Sequence, residues 1–299
     1  MHCKSNAFEP TVQPLATAAN PSKLRFAFPL SRGRKPVART RKRCGDNMFL
    51  ELNLKSTELK KDTCVNLLIP NVIEGETKPF KTLWLLHGRA GDQSAWMRYS
   101  SIERYARMYN LAVVMPNGDR SWYADTSYGA NYFSFIAKEL PMVLTNLFKG
   151  YSSKREDNIV GGLSMGGYGA LKLAMTLPEQ YGACISLSGS LDITRKGRDC
   201  DMEEWRAIFG SHLKTPNDLE GSEHDLFALA AKLKEENKPI PDIYMWCGEN
   251  DYLLNTNYEF TCHLSKLEIP YKFEVSEGDH SWRWWDLHVQ DALKYILTK

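Results

Sequence analysis

Gly162-Leu163-Ser164-Met165-Gly166 joins an apolar run, Asn158-Ile159-Val160-Gly161-Gly162-Leu163, to Tyr168-Gly169-Ala170-Leu171-Lys172-Leu173-Ala174-Met175. The first run predicts a short buried strand and the second the helix that follows it. Ser164 then falls on the sharp turn between them. So tight a turn forces the serine backbone into a strained conformation and leaves no room for side chains on its flanks, a demand that Gly162 and Gly166 meet. Gly167 and Gly169 extend the close packing. A helix that begins at the serine points unpaired N–H groups and its positive end at the place where an oxyanion would form. Gly-x-Ser-x-Gly in this setting reads as a nucleophile elbow; on its own the pentapeptide is also compatible with a glycine-rich turn and a chance serine.

The rest of the chain supplies what an elbow needs. In an α/β-hydrolase the acid and the histidine follow the serine in that order, on loops after later strands. Asp242-Ile243-Tyr244-Met245-Trp246-Cys247 predicts a buried strand, and Gly248-Glu249-Asn250-Asp251 leaves its C-terminal end. Asp251 is the candidate acid, with Tyr252-Leu253-Leu254 placed to anchor it. Tyr271 to Val275 predicts the last strand, and Ser276-Glu277-Gly278-Asp279-His280-Ser281-Trp282 leads into a final helix through Leu297. His280 is the candidate base. A serine hydroxyl is a weak nucleophile near neutral pH, so an imidazole must take its proton, and a carboxylate must hold that ring in the useful tautomer. Glu249 and Asp279 are rivals for the acid. His212, His224, His263 and His288 fall in segments that read as surface loops or helices.

Lys81-Thr82-Leu83-Trp84-Leu85-Leu86 predicts an early strand, and the His87-Gly88-Arg89-Ala90-Gly91 turn after it is where this fold supplies a second backbone donor. The backbone N–H groups of Arg89 and Met165 are the expected oxyanion hole, with the His87 ring bracing the turn.

Taken in order, Leu85-Leu86-His87-Gly88, Val114-Met115-Pro116-Asn117, Trp122-Tyr123-x-Asp125-Thr126-x-Tyr128-Gly129, Gly162 to Gly169, Trp246-Cys247-Gly248-Glu249-x-Asp251 and His280-x-Trp282 form a longer signature. It resembles that of the esterase D-like bacterial carboxylesterases, in the tributyrin esterase and feruloyl esterase group, from about Met48 to the C-terminus. The resemblance implies a cytoplasmic, cofactor-free α/β-hydrolase that cleaves short-chain acyl esters, with its triad on Ser164, Asp251 and His280. Arg89 departs from the neutral residue that relatives often carry after His-Gly; a cation there would favour an acidic acyl or alcohol group, unless it simply points to solvent. The resemblance also places Trp122, Tyr123 and Asp125 at the pocket border.

Trp96 and Trp282, with Tyr128, Trp284 and Trp285, cluster near the motif loops, and aromatic walls suit a phenolic acyl group or a sugar face. The same rings also suit a core, as Trp84 and Trp246 do inside predicted strands. Residues 191–238 are too long for a plain loop and predict a small cap, in which Trp205 and Phe209 have the helical spacing to help close the site.

With 299 residues, 43% of them hydrophobic, the chain can bury one large core, and strands alternating with helices predict a mostly parallel sheet covered on both faces. Nothing approaches the roughly 18 consecutive apolar residues of a transmembrane helix. The seven cysteines, at 3, 44, 64, 184, 200, 247 and 262, are odd in number and scattered, which favours reduced thiols, and no Cys or His spacing resembles a zinc site. Residues 1–47 hold ten Lys or Arg against two acidic residues, a charge of +8; since the whole chain is +2, Met48 to Lys299 carry −6. Five prolines and little apolar periodicity make this basic stretch an expected disordered extension, with the 48–299 domain starting at Met48. Its Arg39-Thr40-Arg41-Lys42-Arg43 run is read as solvated rather than as a nucleic-acid site. The expected partner is a small-molecule ester, with neither membrane nor nucleic acid, and a homo-oligomer is compatible. A thioesterase resembling S-formylglutathione hydrolase, and a non-catalytic binding protein on the same fold, are the alternative readings.

Overall fold

The computed structural model describes residues 47–71, 79–194 and 201–299. Eight strands form one sheet: β1 (Asn47–Ser56), β2 (Lys61–Pro70), β3 (Lys81–Leu86), β4 (Leu111–Pro116), β5 (Asn158–Leu163), β6 (Ala183–Leu187), β7 (Asp242–Gly248) and β8 (Tyr271–Ser276). Their order is β1-β2-β4-β3-β5-β6-β7-β8, antiparallel between β1, β2 and β4 and parallel from β4 onward. The central strands β4, β5 and β6 are buried at every position, as expected for parallel strands covered on both faces. Edge strand β1 keeps an exposed face.

Helices α1 (Ala95–Tyr99), α2 (Ile102–Tyr109), α3 (Tyr132–Ser134), α4 (Leu140–Leu147), α5 (Met165–Thr176), α6 (Met202–Phe209), α7 (Leu226–Glu235), α8 (Leu254–Lys266) and α9 (Trp282–Leu297) flank the sheet. A π turn at Phe135–Glu139 links α3 to α4. Two apolar clusters result. One gathers side chains of α4, α5, α7 and α8 on one face of the sheet, including Leu144, Leu171, Leu233 and Phe260; the other gathers those of α1, α2 and α9, including Trp96, Tyr105 and Val289. The sheet with helices on both faces is the α/β-hydrolase architecture that the alternation predicts.

The turn between β1 and β2 is fastened from the helical layer. Glu139, on the π turn, accepts from Ser56 Oγ at 2.5 Å, from the Thr57 N–H at 2.8 Å and from the Glu58 N–H at 3.2 Å. Within the insertion, α6 is capped by Asp201, whose carboxylate accepts from the Glu203 and Glu204 amides. Residues 195–200 of the insertion and the basic stretch before Asn47, with Cys3, Cys44 and Cys200, lie outside the described residues. Cys64, Cys184, Cys247 and Cys262 are free thiols. Among the described residues, no helix is long and apolar enough to cross a membrane.

Candidate active site

Every loop that builds the site leaves the C-terminal end of a parallel strand. Ser164 stands between β5 and α5 at φ 53° and ψ −118°, a conformation that costs a non-glycine residue roughly 1–3 kcal/mol and is held by its surroundings. Its N–H donates to Leu187 O at 2.9 Å. The neighbouring glycines are required by close approach: a Cβ on Gly162 would lie 2.5 Å from the Gly166 backbone, and one on Gly166 would lie 2.5 Å from Leu86 O. The start of α5 can thus press against the end of β3, which brings the helix N-terminus beside the turn after β3.

The acid loop and the histidine loop are tied together by backbone. Glu249 N–H donates to Ser276 O at 2.9 Å, and Asn250 N–H donates to Gly278 O at 2.8 Å. This holds Asp251 opposite His280. His280 Nδ1 lies 2.9 Å from Asp251 Oδ2 and 3.2 Å from Oδ1, and its Nε2 lies 3.0 Å from Ser164 Oγ. The ring is packed edge-on by Trp285 and flanked by Tyr252. Burial pushes the Asp251 carboxyl up, but the His280 hydrogen bond, the Leu253 N–H at 2.9 Å and the Ser188 hydroxyl outweigh it and hold it below the usual carboxylate range. The carboxylate therefore stays charged where it can fix the ring, and the ring can draw the proton from Ser164. The Tyr252-Leu253-Leu254 segment anchors the acid as expected, through the Leu253 amide, while the Tyr252 side chain is 74% exposed. Glu249 and Asp279 are exposed and lie outside this relay.

The turn after β3 is rigid. His87 is buried and kept neutral by desolvation; its Nδ1 meets Gly88 O at 2.7 Å and its Nε2 accepts from the Gly118 N–H at 2.9 Å. Tyr123 donates its hydroxyl to His87 O at 2.8 Å. Gly88, Arg89, Ser164 and His280 all face one cavity of about 730 Å³, walled also by Tyr99, Arg120, Tyr252 and Trp282. Met165 opens α5 at the nucleophile, so its N–H belongs to the unpaired first turn.

Of the residues expected at the pocket, Trp282 and Trp285 line it, whereas Trp96, Trp122, Tyr123 and Asp125 do not. Trp96 is 1% exposed, donates to Leu86 O at 3.0 Å and stacks edge-on behind Trp282 at 5.1 Å. Trp122 and Tyr123 have positive φ, 52° and 50°, which turns both rings into the core: Trp122 packs between Tyr168 and Trp205, and Tyr123 braces the turn after β3. Asp125 accepts from the N–H and hydroxyl of Ser134, fixing the start of the helical layer. Trp205 and Phe209 are likewise buried in the Trp122 cluster, and it is their neighbour Glu204 that pairs with Arg89 and Arg120 of the cavity wall. Sequence reasoning missed Tyr99, Arg120 and Glu204; Arg120 stands two residues before the Trp122 motif, and the other two carry no local signal.

Among the described residues, no group of His, Cys, Asp and Glu could hold a metal ion. Residues 56–296 match the model of the esterase family described as "Putative esterase". The chain is 32% identical to an acetyl esterase of Caldicellulosiruptor saccharolyticus, over 83% of this chain and 97% of that one. Its structure is similar to the fluorophosphonate-binding serine hydrolase F of Staphylococcus aureus, with a TM-score of 0.77 and 34% identity over 85% and 99% of the two chains. It is similar also to the S-formylglutathione hydrolase of Staphylococcus aureus, with a TM-score of 0.75 and 34% identity over 84% and 99%. The chain belongs to this esterase family and is a serine esterase, a carboxylic ester hydrolase on the α/β-hydrolase fold that acts on small-molecule esters.

Proposed function

We propose that the chain hydrolyses short-chain acyl esters, acetyl or butyryl, or feruloyl-type esters, through Ser164, His280 and Asp251. Ser164 Oγ attacks the ester carbonyl carbon as its proton passes to His280 Nε2. The carbonyl oxygen becomes an oxyanion between the Arg89 and Met165 N–H groups, which do not have to reorganise as the charge develops. Collapse releases the alcohol with the proton from His280, and water, activated by the same ring, hydrolyses the acyl-enzyme. Asp251 stabilises the imidazolium in both halves. The observation that carries this reading is the unbroken contact from Asp251 through His280 to Ser164, 2.9 Å and 3.0 Å long, opening on a cavity.

Residues 48–299 form the hydrolase domain in this reading, with 191–238 as its cap, working in the cytoplasm without a cofactor. The likeness to an S-formylglutathione hydrolase favours thioester cleavage as the second reading, since the same acyl-enzyme serves both. Initial rates on p-nitrophenyl acetate, for the full chain and for Ser164→Ala, test the assignment. Turnover is expected to fall on the order of 10⁴ to 10⁶ in the variant. Activity that survives without the Ser164 hydroxyl would sink it, and glutathione thioester turnover exceeding aryl ester turnover would favour the second reading.

A further inference from the structure

Two arginines stand at the mouth of the cavity, and a single carboxylate answers both. Arg89 Nη2 donates to Glu204 Oε2, while Arg120 reaches the same carboxylate through Nε, 2.8 Å from Oε1, and Nη2, 2.9 Å from Oε2. The Glu204 side chain is only 14% exposed, whereas those of Arg89 and Arg120 are 45% and 59% exposed. A guanidinium has five N–H donors, so both arginines keep donors to offer after Glu204 is satisfied. Beyond them lies a second cavity of about 560 Å³ that shares Arg89, Ala90, Gly91 and Arg120 with the first. The other acidic residue on its wall, Asp119, is taken by Lys61 at 2.5 Å and by the Tyr132 hydroxyl. Among the described residues on this wall and their ion-pair partners, three cations, Lys61, Arg89 and Arg120, meet two carboxylates, Asp119 and Glu204. The excess positive charge sits on a domain that is net negative from Met48 onward.

We propose that the space between Arg89 and Arg120 is an anion subsite, which takes a carboxylate carried on the substrate ester. This rests on the esterase reading above and names the substrate class within it. A fork of planar guanidinium donors matches a carboxylate in geometry as well as charge. Fastening α6 to the turn after β3 needs one ion pair; the second arginine, the more exposed of the two, is surplus to that task. Arg89 would then join the two functions in one residue, its side chain lining the subsite and its N–H serving as the proposed oxyanion donor.

The test compares kcat/KM for matched anionic and neutral esters, with the uncatalysed background subtracted. p-Nitrophenyl hemisuccinate against p-nitrophenyl pentanoate puts the charge on the acyl side, and 4-acetoxybenzoate against 4-acetoxybenzamide puts it on the alcohol side. In Arg120→Gln the anionic-to-neutral ratio of one pair should fall about tenfold from its wild-type value, with partial recovery in Arg120→Lys. In Glu204→Gln, which frees both arginines, the same ratio should rise. Raising salt to about 0.5 M should lower wild-type turnover of the anionic ester and spare the neutral one. The pair that responds identifies the side of the ester that carries the charge. Ratios that are the same in wild type, Arg120→Gln and Glu204→Gln for both pairs, and insensitive to salt, would overturn the subsite. Neutral-ester turnover in wild type and its loss in Ser164→Ala are read on the same plate, so failure of the catalytic assignment shows separately.

Discussion

Asp251 is deeply buried among the His280, Leu253 and Ser188 donors, and its chemistry can be separated from its packing. Asp251→Asn keeps the volume and the Leu253 contact but presents an amide to His280 Nδ1, which favours the wrong tautomer for accepting the Ser164 proton. The expected loss in kcat is on the order of 10² to 10⁴ with little change in KM, measured by steady-state kinetics. Tyr123 makes the opposite case. Its hydroxyl is spent on His87 O and its ring is wholly buried, so Tyr123→Phe should cost about 1 kcal/mol in urea denaturation while KM moves by less than about twofold. A large rise in KM would put Tyr123 against the substrate after all. These two residues also mark what the sequence could disclose. Ser164, Asp251 and His280 are legible because each stands where a strand ends in a glycine-bearing turn with a specific backbone demand. The pocket aromatics are not, because a motif names the loop but not which way its rings turn. At Trp122 and Tyr123 that direction is set by two consecutive positive φ angles, which nothing in their side chains announces.

At the scale of elements, the parallel strands are legible because burial on both faces makes them continuous apolar runs, and α9 ends at Leu297 as expected. The π turn is not. It exists to aim Glu139 at the β1–β2 turn, 83 residues from Ser56 in sequence, and a charged residue in a helical run reads as a solvated face. Burial pushes the Glu139 carboxyl up, but the hydrogen bonds from Ser56, Thr57 and Glu58 hold it below the ordinary glutamate value of 4.5. A carboxyl lowered in the fold contributes its stability in full above the unfolded pKa and loses it as pH falls through the folded one. Glu139→Gln should therefore lower unfolding free energy by about 1–3 kcal/mol at pH 7, with the gap to wild type narrowing below pH 4.5. A gap independent of pH would show that packing rather than charge is what Glu139 supplies.

Across the whole molecule, one buried pair joins the nucleophile helix, the loop after β4 and the insertion. Lys172 on α5 places Nζ 2.9 Å from His224 Nδ1 and 3.4 Å from Tyr123 O, with Phe133 beneath it, while Tyr168 of the same helix donates to His224 O at 2.9 Å. Burial and then the neighbouring ammonium push His224 down to about 3, so the ring is neutral and accepts from Lys172. Burial likewise pushes Lys172 down to about 8, against the pull of Glu223 and Asp125. Above pH 8 the folded chain releases this proton, while the unfolded chain holds it until about 10.5. More protons on the unfolded state mean that this group adds stability as pH rises through that window. Two buried thiols, Cys184 and Cys247, act the other way: burial raises both, so they stay protonated in the fold when the unfolded chain ionises near 9. The net slope of the wild-type protein is thus a contest, and the informative quantity is the difference from Lys172→Met, which keeps the thiols and removes the amine. Urea titrations at half-unit steps should show the wild type gaining on the variant from about pH 8 to 9.5. A constant difference over that range would mean that the Lys172 proton is not released there, and that the amine stays charged inside the fold.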